Sequence, residues 1–396
     1  MSKSLNFILF DGKERNQLLP FTYTRPVAEI RIGIDTLKQK WEYFLGQQCS
    51  FLTQDYLDSK FPSKFGEINI FINPTYIPSV AVAKVILSLK KNQVLTFKGA
   101  AVAYCSSKTT LPEDLNGLDQ IECSEELTHI KASTDLFIYN SKVLKEDFNR
   151  ITKGRISEVI EESNRVVNSS QIFVESGAKV SCSILNATDG PIYIGANAEI
   201  MEGSILRGSI AVCENATVKM GAKIYGGTTI GPSSKVGGEL SNALFLGYSN
   251  KGHDGFIGNA VIGEWCNIGA ASDASNLKNN YSKIRVWNYE TQNFSKTELQ
   301  FCGLLMGDFS RCGIHSMFNT ATVVGINSNV FGTGFPRTFI PSFSFGGAHG
   351  FQTHAFAKAI ESNNAMMERR GKSLSDQDIE ILQHVFDVSS QWRKDR

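Results

Sequence analysis

No apolar run in the 396-residue chain approaches the ~18–20 residues a bilayer-spanning helix needs. Charge of one sign is missing as well: Lys and Arg total 40 against 39 Asp and Glu, a net charge of +1. No basic excess exists to neutralise a phosphate backbone, which argues against nucleic acid as a partner. The eight cysteines are scattered and include no CxxC pair, so the usual zinc and dithiol motifs are absent and free thiols in a reducing cytoplasm are expected. Met1-Ser2-Lys3-Ser4 leads into only six residues before Asp11, too short for the apolar core of a secretory signal. What the chain does have is 42% hydrophobic residues, ample for sizeable cores, and a length that predicts two or three domains.

A six-residue period organises its middle. Stepping by six from Ile194 meets Ile200, Leu206, Val212, Val218, Ile224, Ile230 and Val236, all aliphatic. The fifth residue of each six is small (Ala198, Ser204, Ala216, Ala222, Thr228, Ser234), Ile210 excepted. Six fits neither a helix nor a simple strand alternation. It fits short strands turning corners, with one aliphatic per segment pointing into a triangular prism. Three sixes make one coil, so Ile194, Val212 and Ile230 should stack in one column. Such a solenoid buries its core only by stacking coil on coil. The frame breaks after Val236, resumes at Phe256, Ile262 and Ile268, and resumes again at Met306, Cys312, Phe318, Val324 and Val330. The stretches around 240–255 and 273–303 are therefore expected to be extruded loops, the second (Trp287, Tyr289, Phe294) packing on a neighbouring subunit.

The flanks differ in kind. Asn6–Phe10, Ile68–Ile72 and Gln93–Ala103 read as strands, and Ile34–Leu45 and Ser79–Lys90 as helices, an α/β layer pattern. Residues 141–165 read as a helix and linker with Ser141 as N-cap. Gln352–Arg369 and Ser375–Val388 read as two helices parted by Gly371, with Ser373 or Ser375 as cap. Around His315, His349 and His354 no carboxylate or cysteine completes a ligand set in the local sequence, so no metal site is expected. The phenylalanines from Phe331 to Phe351 lack basic interleaving and read as core or subunit contact.

The six-residue pattern resembles the hexapeptide repeat of left-handed β-helix acyltransferases. The stretch His253-Asp-Gly-Phe-Ile-Gly-Asn-Ala-Val-Ile-Gly-Glu-Trp-Cys-Asn-Ile-Gly-Ala270 is similar to the acetyltransferase motif H-x-x-Y-x-G-x-A-x-I-G-x-x-x-N-I-G-A. That motif belongs to the bifunctional UDP-N-acetylglucosamine pyrophosphorylase/glucosamine-1-phosphate N-acetyltransferase family. Phe7-Ile-Leu-Phe-Asp-Gly12, Leu19-Pro-Phe-Thr22, Arg25-Pro26 and Gly33 resemble the signature of its sugar-phosphate nucleotidyltransferase domain, L-x-x-G-x-G-T-R-L-x-P-L-T-x-x-x-P-K. The resemblance covers nearly the whole chain and is strongest to a divergent bacterial branch. It implies a general base at His253, a substrate contact at Phe256 in place of tyrosine, and sugar or acetyl-group ligands at Asn267 and Asn276. It places Ala270 along the acetyl-CoA path and Arg337 near the CoA phosphates. The residue types suit the chemistry, since an attacking amine must shed a proton and an imidazole of ordinary pKa near ~6.5 can take it. Glu239 or Asp254 could orient the ring, and Glu239 also stands at the substrate side.

The departures are specific. The family's E-x-K-K, whose lysine holds the sugar phosphate, reads Glu239-Leu240-Ser241-Asn242 here. Lys219, Lys223, Lys235 and Lys251 are the candidates to replace it. The glycine-rich phosphate loop is reduced to Gly12-Lys13-Glu14-Arg15-Asn16, and Asn73 stands where the family places a magnesium-binding aspartate. Gly12, Arg15, Arg25 and Arg31 remain as candidate nucleotide-phosphate contacts.

The expectation is thus an α/β nucleotidyltransferase-like (Rossmann-like) domain over 1–140, a helical linker over 141–170, a left-handed parallel β-helix over 171–348, and a helical tail over 349–396. Its function would be acetyl transfer from acetyl-CoA to an amino-sugar phosphate in the cytoplasm, by a homotrimer. Mg²⁺, with UTP or another NTP, enters only where the first domain is active. Two other readings stay open: a nucleotidyltransferase whose β-helix only trimerises, and a non-catalytic sugar-nucleotide-binding protein.

Overall fold

Strand β1 (Leu5–Phe10) is buried on both faces from Phe7 onward, as a strand covered by layers on either side must be. Phe7 and Leu9 join one apolar cluster with Trp41, Val82 and Ile86, while Ile8 and Phe10 join another with Phe71, Val94 and Tyr104. In the computed structural model, which describes residues 5–112 and 114–393, β1 belongs to the first of two compact units. That unit gathers the chain up to Leu18, Thr24–Ile30 and Asp35–Ala132; the second takes Leu19–Tyr23, Arg31–Ile34 and the chain from Ser133.

The sheet of the first unit has the order β2-β1-β3-β5-β4-β6, where β2 is Cys49–Leu52, β3 Ile68–Ile72, β4 Gln93–Phe97, β5 Ala100–Ser106 and β6 Asp119–Glu122. β2 and β3 run parallel to β1, and β5 runs antiparallel to β3. The expected single strand Gln93–Ala103 is two strands, because Lys98 and Gly99, both at positive φ, turn β4 back into β5. Helix α1 (Leu37–Leu45) starts at a Thr36–Gln39 capping box and stops at Gly46, shorter than expected by the residues before the cap. After α2 (Asp55–Asp58), α3 (Val80–Ser88) begins at Ser79, whose hydroxyl accepts from Val82 N.

The second unit is a parallel β-solenoid with a helical tail. Ile194 pairs with Val212 and Val212 with Ile230, so the expected column stands. All eight aliphatics of the first frame are 0–1% exposed in one continuous core. Met306, Cys312, Phe318, Val324 and Val330 face the same core.

Two sequence expectations fail here. The stretch 240–255 is no loop but a coil with shortened corners. Leu240 pairs with Ile224, Phe245 with Ile230 and Lys251 with Val236, steps of four, five and six. The chain therefore never left the prism; only the six-residue frame did. In the next coil the inward residue is Ile257, in register with Leu240, and not Phe256, which pairs with outward Glu239 and is half-buried. The stretch 273–303 does leave the coil after Ala274 and forms an antiparallel hairpin, Arg285–Asn288 with Asn293–Lys296. Its aromatics are used by their own chain: Trp287 stacks on Phe339 at 3.9 Å, and buried Tyr289 meets Tyr23 and Trp392 edge-on.

The linker helix is α4 (Asp135–Thr152), so Ser141 lies inside it and caps nothing. Asn140 of α4 fastens it to the coil, accepting from Gly33 N and donating to Gly227 O, each at 2.7 Å. The tail is α5 (Phe356–Glu368) and α6 (Asp376–Val388). The former begins later than expected because Gly350–Thr353 closes the solenoid as a last strand, and the latter starts at a Ser375–Asp378 capping box.

Candidate active site

One edge of the prism is built by the corners that follow the inward residues Val236, Lys251, Ile268, Cys312 and Val330. His253 sits on this edge and is exposed. Among the described residues its ring makes no hydrogen bond, and neither Asp254 nor Glu239 is bonded to it. Glu239 instead lies 3.5 Å from Lys223. Ala270 occupies the matching corner one coil on, as shown by the hydrogen bond from Ala271 N to Asp254 O. The loop 331–338 leaves the same edge after Val330, carrying exposed Arg337 over the Phe351 ring at 5.2 Å. That is three coils beyond His253, roughly 14 Å at the usual strand spacing.

On the face that follows the edge, Glu239 and Phe256 are register partners. The Phe256 amide donates to Asp273 Oδ1 at 2.7 Å. The Phe256 ring and the Asn276 amide both come down on Gly258, and Asn276 Nδ2 donates to Asn259 Oδ1 at 2.8 Å. His253, Ala270, Glu239, Phe256 and Asn276 thus share one edge and the face beside it. Asn267 stands on the preceding face, accepting from Asn250 Nδ2 at 3.0 Å.

From sequence, Lys251 is only one of four candidates for the phosphate contact. The structure puts it inside the prism, 1% exposed, where neighbouring coils carry Val236 and Ile268. Its ammonium donates to Gly237 O at 3.0 Å and to His253 O at 2.8 Å. Burial pushes its pKa down to about 8, opposed in part by Asp273 and Asp254. The close approach explains Gly238, at φ +71: a Cβ there would lie 2.8 Å from the Lys251 nitrogen. The main chain of the His253 corner is therefore pinned from within while its imidazole points outward. The signal in the sequence was a lysine one coil after Val236, legible only once the shortened corners are known.

The first unit carries its own polar cluster at the C-terminal ends of β1 and β3, where open α/β sheets bind ligands. Arg15 belongs to it, and both Arg15 and Arg25 are buried. Arg15 lies 3.4 Å from Asp11 and donates to Tyr56 Oη at 2.6 Å. Asp11 also accepts from Thr53 and from Val27 N. Glu14 folds back over Gly12, where a Cβ would meet its carboxylate at 2.7 Å. It pairs with His129 at 3.2 Å and accepts from Asn73 at 3.4 Å. Burial works against the Glu14 charge, but His129 and Asn73 together hold its pKa below the ordinary value. Arg31 belongs to the second unit, donating to the main-chain oxygens of Leu246 and Ile34.

These residues do not suit the Mg²⁺ that nucleotidyl transfer requires. The Asp11 and Glu14 oxygens are committed to protein donors, and Asn73 Oδ1 accepts from Thr75. Among the described residues no group of three His, Cys, Asp or Glu could hold a metal ion. No helix among them is long and apolar enough to cross a membrane.

Residues 7–156 match the family described as sugar nucleotidyl transferase. No curated protein matches the chain. Similar solved structures include a hexapeptide transferase family protein from Anaplasma phagocytophilum, 14% identical over 58% of this chain and 93% of that one, TM-score 0.23. A second is a point mutant of AntD, an N-acyltransferase from Bacillus cereus, in complex with dTDP and coenzyme A. It is 14% identical over 54% of this chain and 100% of that one, TM-score 0.23. A third is UDP-N-acetylglucosamine acyltransferase from Campylobacter jejuni, 12% identical over 57% of this chain and 95% of that one, TM-score 0.22. At scores this low the likeness carries no functional inference. Similarity to that sugar nucleotidyl transferase family is thus confined to residues 7–156, and the chain beyond it is a parallel β-solenoid with a helical tail.

Proposed function

We propose that the chain is an acetyl-CoA-dependent N-acetyltransferase acting on an amino-sugar phosphate in cytoplasmic, UDP-N-acetylglucosamine-type sugar-nucleotide synthesis. The observation that carries this reading is the outward imidazole of His253, free of protein hydrogen bonds among the described residues, on a corner anchored by Lys251. It supports a general base: the neutral ring takes a proton from the amine as the nitrogen attacks the thioester carbonyl. The resulting imidazolium then protonates the departing thiolate, so no covalent enzyme intermediate is needed. In this reading Phe256 and Asn276, on the adjoining face, would contact the acceptor, and Ala270 and Arg337, along the same edge, would contact the thioester donor. Asn267 would act from the other side of the corner.

The family match over residues 7–156 favours a second reading, nucleotidyl transfer by the first unit. The occupied carboxylates argue against it, leaving Gly12 and Arg15 in a closed cluster, with Arg25 buried as well. The assay is thiol release from acetyl-CoA across a panel of amino-sugar phosphates, beside His253→Ala. Release that the variant abolishes supports acetyl transfer; equal rates reject the assigned base. A homotrimer is part of the proposal, and light scattering that shows a monomer at working concentration rejects it.

A further inference from the structure

The outward row next to the His253 edge runs Thr217, Lys235, Asn250, Asn267, Arg311 and Asn329, one residue per coil. Lys219 lies beside this row, its amide bonded to Val236 O and its Cβ 3.2 Å from where a Cβ on Gly237 would sit. The tail crosses the same face. Asn363 of α5 accepts from Arg311 at 2.8 Å and donates to Asn327 Oδ1 at 2.7 Å. From Asn363 to Arg369 the chain advances about 9 Å at helical rise, while Arg311 and Lys235 are three strand spacings, roughly 14 Å, apart. The reach of an arginine closes that difference. Beyond the helix, Lys372 sits 5.4 Å over Tyr248, which stacks on Trp265 at 4.4 Å in the coil of Asn250.

Lys219, Lys235, Arg369, Arg370 and Lys372 are thereby gathered by distant parts of the chain. None of the five makes an ion pair among the described residues, although the whole chain has a net charge of only +1. Lys235 feels the crowding. Its pKa is lowered first by burial and then by Arg370, Lys219 and Arg369, and Glu199, two strands away, opposes them. Like charges so close oppose folding unless an anion joins them. The cluster also lies near the proposed base: His253 is three residues past Asn250, on the corner that follows Lys251, and so at most about 10 Å of chain away.

We propose that these five cations form a binding site for a phosphate monoester dianion, with the tail arginines supplying forked contacts and Asn250 and Asn267 flanking the ester. The proposal deepens the acetyl-transfer reading, since it supplies the phosphate contact missing at Glu239-Leu240-Ser241-Asn242. It is tested by binding alone and so stands or falls apart from turnover. Two sources carry this group: the 3′-phosphate of coenzyme A and the 1-phosphate of an amino sugar.

Titration calorimetry on the full chain would use coenzyme A, 3′-dephospho-coenzyme A and glucosamine 1-phosphate. The proteins would be the parent, Lys235→Ala, the pair Arg369→Ala/Arg370→Ala, and the control Lys358→Ala, whose ammonium pairs with Glu361 on α5. All side chains changed are at least partly solvent-facing, and circular dichroism checks the fold. We expect affinity to fall about tenfold or more in the first two variants and not in the control. Loss for coenzyme A but not its dephospho form assigns the donor's phosphate, and loss for the sugar phosphate assigns the acceptor's; either supports the site even where no acetyl transfer is found. Parent-like affinity in both variants, or no binding of any probe by the parent, overturns it.

Discussion

Replacing Lys251 by methionine keeps an unbranched chain between Val236 and Ile268 but removes the ammonium from the prism. In the folded protein that group titrates at about 8, against 10.5 ordinarily. Between these values the unfolded chain holds a proton that the folded one has released. The contribution of this group to the parent's stability therefore rises with pH from about 8 to about 10.5. At ~1.4 kcal/mol per pH unit the total rise is about 3 kcal/mol. Methionine also leaves the Gly237 and His253 carbonyls without that donor, a cost of about 1–2 kcal/mol that does not change with pH. Urea unfolding would be followed by tryptophan fluorescence, to which the second unit contributes Trp265, Trp287 and Trp392. The difference between Lys251→Met and the parent cancels the other titrating groups. It should favour the variant most at pH 7 and shrink by about 3 kcal/mol towards pH 10.5. A difference that stays constant, or grows in the variant's favour with pH, refutes a charged lysine inside the coil.

Leu206→Ala opens the prism core where the residue is 0% exposed, and should cost about 2–5 kcal/mol in the same urea experiment. Ser375→Ala removes the cap of α6 and should cost about 1 kcal/mol, read as lower helical signal or a lower Tm of the tail. Glu14→Gln should change the acid stability of the first unit. The native carboxylate contributes above its ordinary value of 4.5, and that contribution is lost as pH falls below it. A parent and variant that unfold alike in acid would show that the His129 pair adds nothing.

The prism was legible in the sequence because each coil offers one aliphatic to a shared axis, and the six-residue step exposes that regularity wherever corners keep constant length. It failed where corners shortened. After Val236 the Gly237-Gly238 corner brings Leu240 inward four residues later, and a lysine then takes a core position that apolar patterning would never assign. The slip by one to Phe256 follows from the same shortening. His253 stands out as a candidate because its motif is contiguous. Its anchor was hidden in the fold, since the Lys251 ammonium meets carbonyls that only coil stacking brings near. The cations of the tail and of Lys219 and Lys235 could not be joined from sequence, because nothing local records that α5 lies across that face. In the first unit, Arg15 and Arg25 stood out as phosphate ligands by type. Spacing could not show that Glu14 and Asp11 would enclose the same cluster.

The proposed chemistry reduces to an imidazole on one corner of this coil moving a proton for acyl transfer to a sugar amine. Mass spectrometry of the products formed from acetyl-CoA and glucosamine 1-phosphate, or another amino-sugar phosphate, reads that step without intermediaries. An N-acetylated sugar phosphate should form with the parent protein and none above background with His253→Ala. The same product at the same rate from both proteins, or none from the parent with any amino sugar, would rule the mechanism out.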